Sequence, residues 1–201
     1  MTTAVYANPM KLMVFGDSLS AGHNLKKVDA FYSQLQKTLR ERGYQVNVIN
    51  FSKSGETTVG GLAKLKTALN KKPDAVILEL GINDLRHGLS LTEAQKNLQS
   101  IILAFQEKNI PVLLVGMEAP AAAPVAYRNA FRNMYRSLAD QNHLILYPFF
   151  MNGLWNQDGS HKDMSYFLQD NAHPSAIGVK IMTDNIAPTV EQFIQHMGNR
   201  K

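Results

Sequence analysis

Short apolar runs, rich in branched residues and each too brief for a core helix, recur along the chain at Leu12 to Phe15, Val46 to Phe51, Ala75 to Leu80, Pro111 to Val115 and Leu144 to Tyr147. Continuous apolarity over four to six residues is the pattern of strands covered on both faces. Between the runs lie stretches of helical period: Phe31, Leu35 and Leu39; Leu62, Leu65 and Leu69; Leu98, Ile101, Ile102 and Phe105; and Phe131, Met134 and Leu138. A last helix is expected to open at Pro174 and run through Ile177, Ile181, Ile186 and Phe193, with Pro188 kinking or splitting it. Strand and helix alternating at this spacing predict an α/β fold with five parallel strands, right-handed crossovers and helices on both faces.

The 201 residues are enough for one well-packed core and short for two, so residues 11–201 read as a single domain after a flexible segment 1–10. No apolar stretch approaches the roughly 20 residues that span a bilayer, so stable membrane insertion is not expected. The absence of cysteine excludes disulfides, thiolate metal sites and cysteine nucleophiles. Val5 and Ala7 are spaced like the end of an export signal, which would place the protein in the periplasm or outside the cell; if residues 1–7 are no such remnant, a cytoplasmic location follows. The net charge of +5 is concentrated in residues 26 to 72, with ten Lys or Arg against Asp29, Glu41 and Glu56. These cations are scattered at helical spacing without a nucleic-acid motif, so they read as a solvated face and no nucleic-acid partner is expected. Nothing in the chain specifies an oligomeric state.

Chemistry in open parallel sheets gathers at the carboxyl ends of the strands. There the first run delivers Gly16-Asp17-Ser18, the second Ser54-Gly55-Glu56-Thr57, and the third Glu79-Leu80-Gly81-Ile82-Asn83-Asp84. A hydroxyl at the first end, with Asp170 and His173 three residues apart far down the chain, offers the three groups of a serine-based acyl transfer. Attack on a carbonyl creates an oxyanion, for which the backbone N–H groups of Ser18 and Gly55 and the Asn83 amide could be the donors. Each residue also has a plainer use: Ser18 as a helix cap, Asp170 and His173 as a surface pair, Asn83 as a turn residue and Gly55 for its φ angle. Asp17 and Asp84 read as structural hydrogen-bonding or capping groups. Among His23, His87, His143, His161 and His196 no pair with Asp or Glu has metal-ligand spacing, so no metal or other cofactor is expected, and His161 reads as part of a surface loop.

The segments Gly16-Asp17-Ser18-Leu19-Ser20, Ser54-Gly55-Glu56-Thr57, Gly81-Ile82-Asn83-Asp84 and Asp170-x-x-His173 together resemble the four sequence blocks of SGNH/GDSL hydrolases. The resemblance spans residues 11 to 192 and is nearest to the bacterial thioesterase I, lysophospholipase and arylesterase branch. It implies Ser18 as nucleophile, His173 as general base, Asp170 as its orienter, and Ser18, Gly55 and Asn83 as oxyanion donors. It also implies a flavodoxin-like three-layer α/β/α sandwich with strand order 2-1-3-4-5. The absence of Gly-x-Ser-x-Gly around Ser18 sets the chain apart from α/β-hydrolases.

Where relatives of this branch carry an arginine and an Asn-Tyr-Gly-like loop, this chain reads Met117-Glu118-Ala119-Pro120 followed by further alanines. With Leu154, Trp155 and Phe167, these residues are expected to line the substrate site, where Glu118 puts an anion in place of a cation and Met117, the alanine-rich loop, Leu154, Trp155 and Phe167 form an apolar acyl surface. The expected function is a cofactor-free serine esterase acting on small to medium acyl esters, aryl esters first, with thioesters or lysophospholipids as further candidates. Two alternatives remain: an O-acetyl esterase of carbohydrate or peptidoglycan with the same triad, and a non-catalytic anion-binding domain.

Overall fold

The computed structural model describes residues 9–156 and 160–198, so the readings placed on the leader segment 1–8 lie outside the described residues. Strands β1 (Met10–Phe15), β2 (Val46–Asn50), β3 (Ala75–Leu78), β4 (Val112–Val115) and β5 (Ile145–Tyr147) form one parallel sheet in the order β2-β1-β3-β4-β5. All five expected strands are present, each within a residue or two of its apolar run. Leu12, Met13, Val14 and Phe15 of β1 and the whole of β3 are fully buried, as central strands covered on both faces must be.

The helices are α1 (Ser18–Ala21), α2 (Phe31–Glu41), α3 (Thr58–Ala63), α4 (Leu65–Asn70), α5 (Ile82–Arg86), α6 (Leu91–Gln106), α7 (Val125–Asn142) and α8 (Ala176–Gly198). The β1-α2-β2 crossover moves along the sheet in one direction, and the three that lead through β3, β4 and β5 move in the other. Right-handedness therefore places α2 on one face and α3, α6 and α7 on the opposite one. Their contacts agree: α2 packs against α8, while α3 packs on α6 and α6 on α7. The result is the three-layer sandwich, with its reversal of strand order between β1 and β3.

Two helical expectations need correction. The stretch through Leu62, Leu65 and Leu69 is split at Lys64 into α3 and α4, consistent with the weak helix-forming Gly60-Gly61 pair that fills the first of them. The last helix begins at Ala176, because Pro174 pairs instead with Phe167 in an isolated bridge. It runs unbroken through Pro188. Proline removes one intrahelical bond there, but Val179, Met182, Ile186, Val190 and Phe193 bury a continuous face that holds the helix on both sides of it. Ile177, expected on that face, is exposed.

Among the described residues no helix is long and apolar enough to cross a membrane.

Candidate active site

The sheet reverses its order between β1 and β3, and a crevice opens there at the strand carboxyl ends. Ser18 stands on the turn out of β1, as the first residue of α1. Asp17 caps that helix by accepting from the Leu19 N–H at 2.9 Å, which fixes the turn and aims the next side chain outward. Gly16 has to be glycine for reasons of space: a Cβ there would come within 2.6 Å of Glu79 Oε2 and 2.7 Å of Ser20 Oγ.

Across a sequence separation of 155 residues, His173 Nε2 lies 2.9 Å from Ser18 Oγ. On the other side of the ring, Nδ1 lies 2.6 Å from Asp170 Oδ2. Asp170 Oδ1 accepts from the backbone N–H groups of Ala172 and His173, both at 2.9 Å, so the carboxylate is held by its own turn as well as by the ring. Asn171 sits within that turn at φ 54°, a left-handed conformation that asparagine tolerates. Burial alone would raise the Asp170 carboxyl, but these backbone and ring donors prevail and hold it down at about 2. The carboxylate is ionised wherever an imidazole is neutral, and the ring proton is thereby kept on Nδ1 with the Nε2 lone pair toward Ser18.

The backbone N–H groups of Ser18 and Gly55 donate to no partner among the described residues. Gly55 adopts φ 76°, the left-handed region in which its N–H can turn toward the crevice. Asn83 is buried, and its amide nitrogen donates to Asp17 Oδ2 at 3.0 Å and to the Glu56 carbonyl at 3.1 Å. Both of its protons are thus already engaged, so a developing oxyanion would share one of them. Asp84 accepts from the Thr58 N–H and hydroxyl, locking the start of α3 onto α5. Asp17 and Asp84 both serve as structural hydrogen-bonding groups, as their sequence context suggests.

Glu79, to which the sequence reading gave no role, lies beneath the turn. Fully buried at the end of β3, its Oε2 accepts from the Asp17 N–H at 3.2 Å and the Ser20 hydroxyl at 2.7 Å. Burial, followed by the neighbouring Asp17 charge, pushes the Glu79 carboxyl well above the usual carboxylate range; burial raises Asp17 as well. Two carboxyls packed this closely resist carrying two charges, and Glu79 is the one that keeps its proton.

His23 is the other residue missed. Its ring lies over that of His173, centroids 4.3 Å apart and planes inclined by 36°. Only the folded turn after α1 brings it there, and sequence spacing carries no trace of it. His161, expected in a surface loop, instead packs against Trp155 and Phe167 and contacts the Asn171 carbonyl through Nε2 at 3.0 Å.

The expected acyl surface is only partly realised. Met117 and Ala119 are buried beyond β4, while Glu118 reaches outward to Arg132 at 3.2 Å. Pro120 is exposed. Leu154 is completely buried and Phe167 nearly so, the latter packed with Trp155 and His161 behind the Asp170–His173 turn. Leu154 is therefore core and not a presented wall. A cavity of about 870 Å³ opens at the opposite, amino ends of the strands among Met10, Asp74, Pro111 and His143, and Ser18, Asp170 and His173 do not line it.

Comparison with known proteins gives a consistent picture. The family model described as "GDSL-like Lipase/Acylhydrolase family" matches residues 14–181. The chain is 34% identical to the esterase TesA of Pseudomonas aeruginosa over 91% of its length and 89% of the relative's. To an arylesterase of Vibrio mimicus it is 30% identical, over 93% of this chain and 90% of that one. A crystal structure of AlinE4, titled an SGNH-hydrolase family esterase, superposes with a TM-score of 0.73 at 35% identity, covering 94% of this chain and 98% of the other.

The buried carboxyl pair makes a stability prediction. A raised folded-state value means that Glu79 contributes stability below its unfolded value and loses it as pH climbs through the folded one. Glu79→Gln should therefore hold its unfolding free energy better than wild type as pH rises from 4.5, the ordinary glutamate value, through neutrality. Glu79→Ala, which strands the Asp17 N–H and the Ser20 hydroxyl, should lose about 2 to 4 kcal/mol. Urea unfolding of the three proteins across that range is the measurement; parallel pH curves for wild type and Glu79→Gln would contradict a protonated Glu79.

Proposed function

The chain belongs to the GDSL-like lipase/acylhydrolase family and is a carboxylic ester hydrolase, and from that premise we propose that it cleaves small to medium acyl esters through an acyl-enzyme on Ser18. One observation carries the assignment of the residues: a hydroxyl, an imidazole and a carboxylate joined in series at 2.9 and 2.6 Å.

Ser18 Oγ attacks the ester carbonyl while His173 Nε2 takes its proton. Asp170 holds the ring and stabilises the imidazolium by accepting from Nδ1. The carbonyl oxygen becomes an oxyanion facing the N–H groups of Ser18 and Gly55, both free of other partners among the described residues. Asn83 adds a third donor by sharing an amide proton now given to Asp17 or to the Glu56 carbonyl. Collapse expels the alkoxide or thiolate, which takes the proton from His173. Water then attacks the acyl-enzyme, with the same imidazole as base, and releases the acid.

The relatives named as an esterase and an arylesterase favour aryl and simple alkyl esters, with thioesters and lysophospholipids as further candidates. They do not favour the carbohydrate O-acetyl ester alternative. A merely anion-binding domain would have no use for an imidazole and a carboxylate placed in line behind the serine.

Ser18→Ala should fold normally and lose on the order of 10⁴-fold or more in p-nitrophenyl butyrate hydrolysis, and a serine-directed phosphonate should label wild type alone. Full activity in the variant would end the proposal. Asn83→Ala should lower kcat by about 10² to 10³ with a small change in KM. Unaltered kcat would take Asn83 out of the reaction. Asp170, held at about 2, stays a carboxylate through the working range and should add no ionisation of its own to the acid side of the kcat/KM profile. An acid limb two protons steep would show that Asp170 titrates there.

A further inference from the structure

We propose that His23, Asp170 and His173 form a binding site for a divalent d-block cation such as zinc, and that its occupation switches the hydrolase off. The inhibitory half of this inference rests on the catalytic reading of His173; the binding half stands on geometry alone. Each of the three side chains offers one ligand atom, and these atoms all lie within 4.8 Å of one another. A tetrahedral zinc with nitrogen and oxygen ligands at roughly 2.0 to 2.1 Å holds neighbouring donors about 3.3 Å apart. Asp170 Oδ2 and His173 Nδ1 are already closer than that, at 2.6 Å, with a proton between them. Binding therefore requires the Asp170 carboxylate to draw back from the His173 ring, releasing the hydrogen between them, and the His23 ring to swing in; the polar contact of the latter is a 3.0 Å approach to the exposed Asn24 amide.

The donor set is selective. Two imidazoles and a carboxylate suit zinc and its neighbours, and leave one position for water, whereas magnesium prefers an oxygen shell and sheds its waters reluctantly. Asp170 is on the open side of the cluster, its side chain 42% exposed, so a cation can enter without unfolding the turn.

Binding rearranges one proton. In the working enzyme Nδ1 of His173 carries the hydrogen and Nε2 presents a lone pair to Ser18. A cation on Nδ1 takes that lone pair's counterpart, so the hydrogen moves from Nδ1 to Nε2 and no net proton is lost from a neutral ring. Nε2 then donates to Ser18 Oγ where it formerly accepted, and the serine has no base. Asp170 meanwhile serves the metal and no longer orients the ring. The cation is inhibitory by the same contacts that would make its absence productive.

His23 separates this site from the triad itself, because it lies on the cation and not on the path of the Ser18 proton. Full-length protein stripped with EDTA should bind one equivalent of zinc by calorimetric titration, and His23→Ala and His23→Phe should each weaken that binding by about tenfold or more. The phenylalanine keeps a ring over His173 without a ligand atom, so equal losses in the two variants identify ligation and exclude mere packing. In p-nitrophenyl butyrate hydrolysis, with every protein compared to its own metal-free rate, zinc should inhibit wild type reversibly. Both variants should require at least about ten times more zinc, and magnesium should leave all three unaffected. Zinc affinity unchanged by either substitution, or no one-equivalent binding, would overturn the site. Binding that depends on His23 without inhibition would overturn the switch. Failure of the catalytic reading would show separately, as an absence of hydrolysis before any metal is added.

Discussion

One buried carboxyl ties the two strand ends on which everything else is arranged. Glu79 closes β3 and reaches across to the turn leaving β1, where it accepts from the Asp17 N–H and the Ser20 hydroxyl. That turn is only a few residues long and would otherwise be a loose loop. Pinned at both sides of Ser18, it has one geometry, and the serine oxygen inherits it. The arrangement needs the missing side chain at Gly16, where any Cβ would collide with the same carboxyl. Keeping Glu79 protonated spares the neighbouring Asp17 a second buried charge, which leaves Asp17 free to cap α1 and to hold Asn83. A chain of contacts thus runs from Glu79 through Asp17 to the Ser18 turn and to Asn83.

The opposite wall is built from local turns. Asp170 and His173 are positioned by backbone donors to the carboxylate, by the Leu168 N–H bond to the His173 carbonyl at 2.8 Å, and by the bridge from Phe167 to Pro174. His161 adds a tether to the Asn171 carbonyl from within the Trp155 and Phe167 cluster. The aromatic residues singled out as acyl-binding therefore act chiefly as the support behind the turn. Rigidity on this side keeps the His173 ring in line with Ser18, 2.9 Å from its hydroxyl oxygen.

The strands were legible because burial on both faces forces unbroken branched apolar runs, and no other element of this length needs them. Helix interiors were legible for the same reason, but helix ends were not. Pro174 has the sequence character of a first-turn residue but pairs with Phe167 in a bridge, and Pro188 has that of a break but lies between the buried Val179 and Val190 that hold the helix on either side of it. Among site residues, Ser18, Asp170 and His173 stand in motifs whose members are adjacent in sequence. His23 and Glu79 act across folded distances, and nothing in their immediate neighbours marks them. Leu154 shows the converse: an apolar residue near the Asp170–His173 segment has the sequence character of a pocket wall, yet it is fully buried, because core and wall have the same chemistry and differ only in what covers them.

Substrate preference has to arise from the rim that remains. The segment after β4 emerges from the same edge of the sheet as Ser18, with Met117 and Ala119 turned inward and Glu118 turned out to Arg132. The ion pair is half-exposed and contributes little to stability. On the other side, Lys64 pairs with Glu56 and lies 5.1 Å from the ring centres of both Phe15 and Phe51, which neutralises the charge next to the Gly55 turn. Both charged pairs near these strand ends are thus compensated, Glu56 by Lys64 and Glu118 by Arg132.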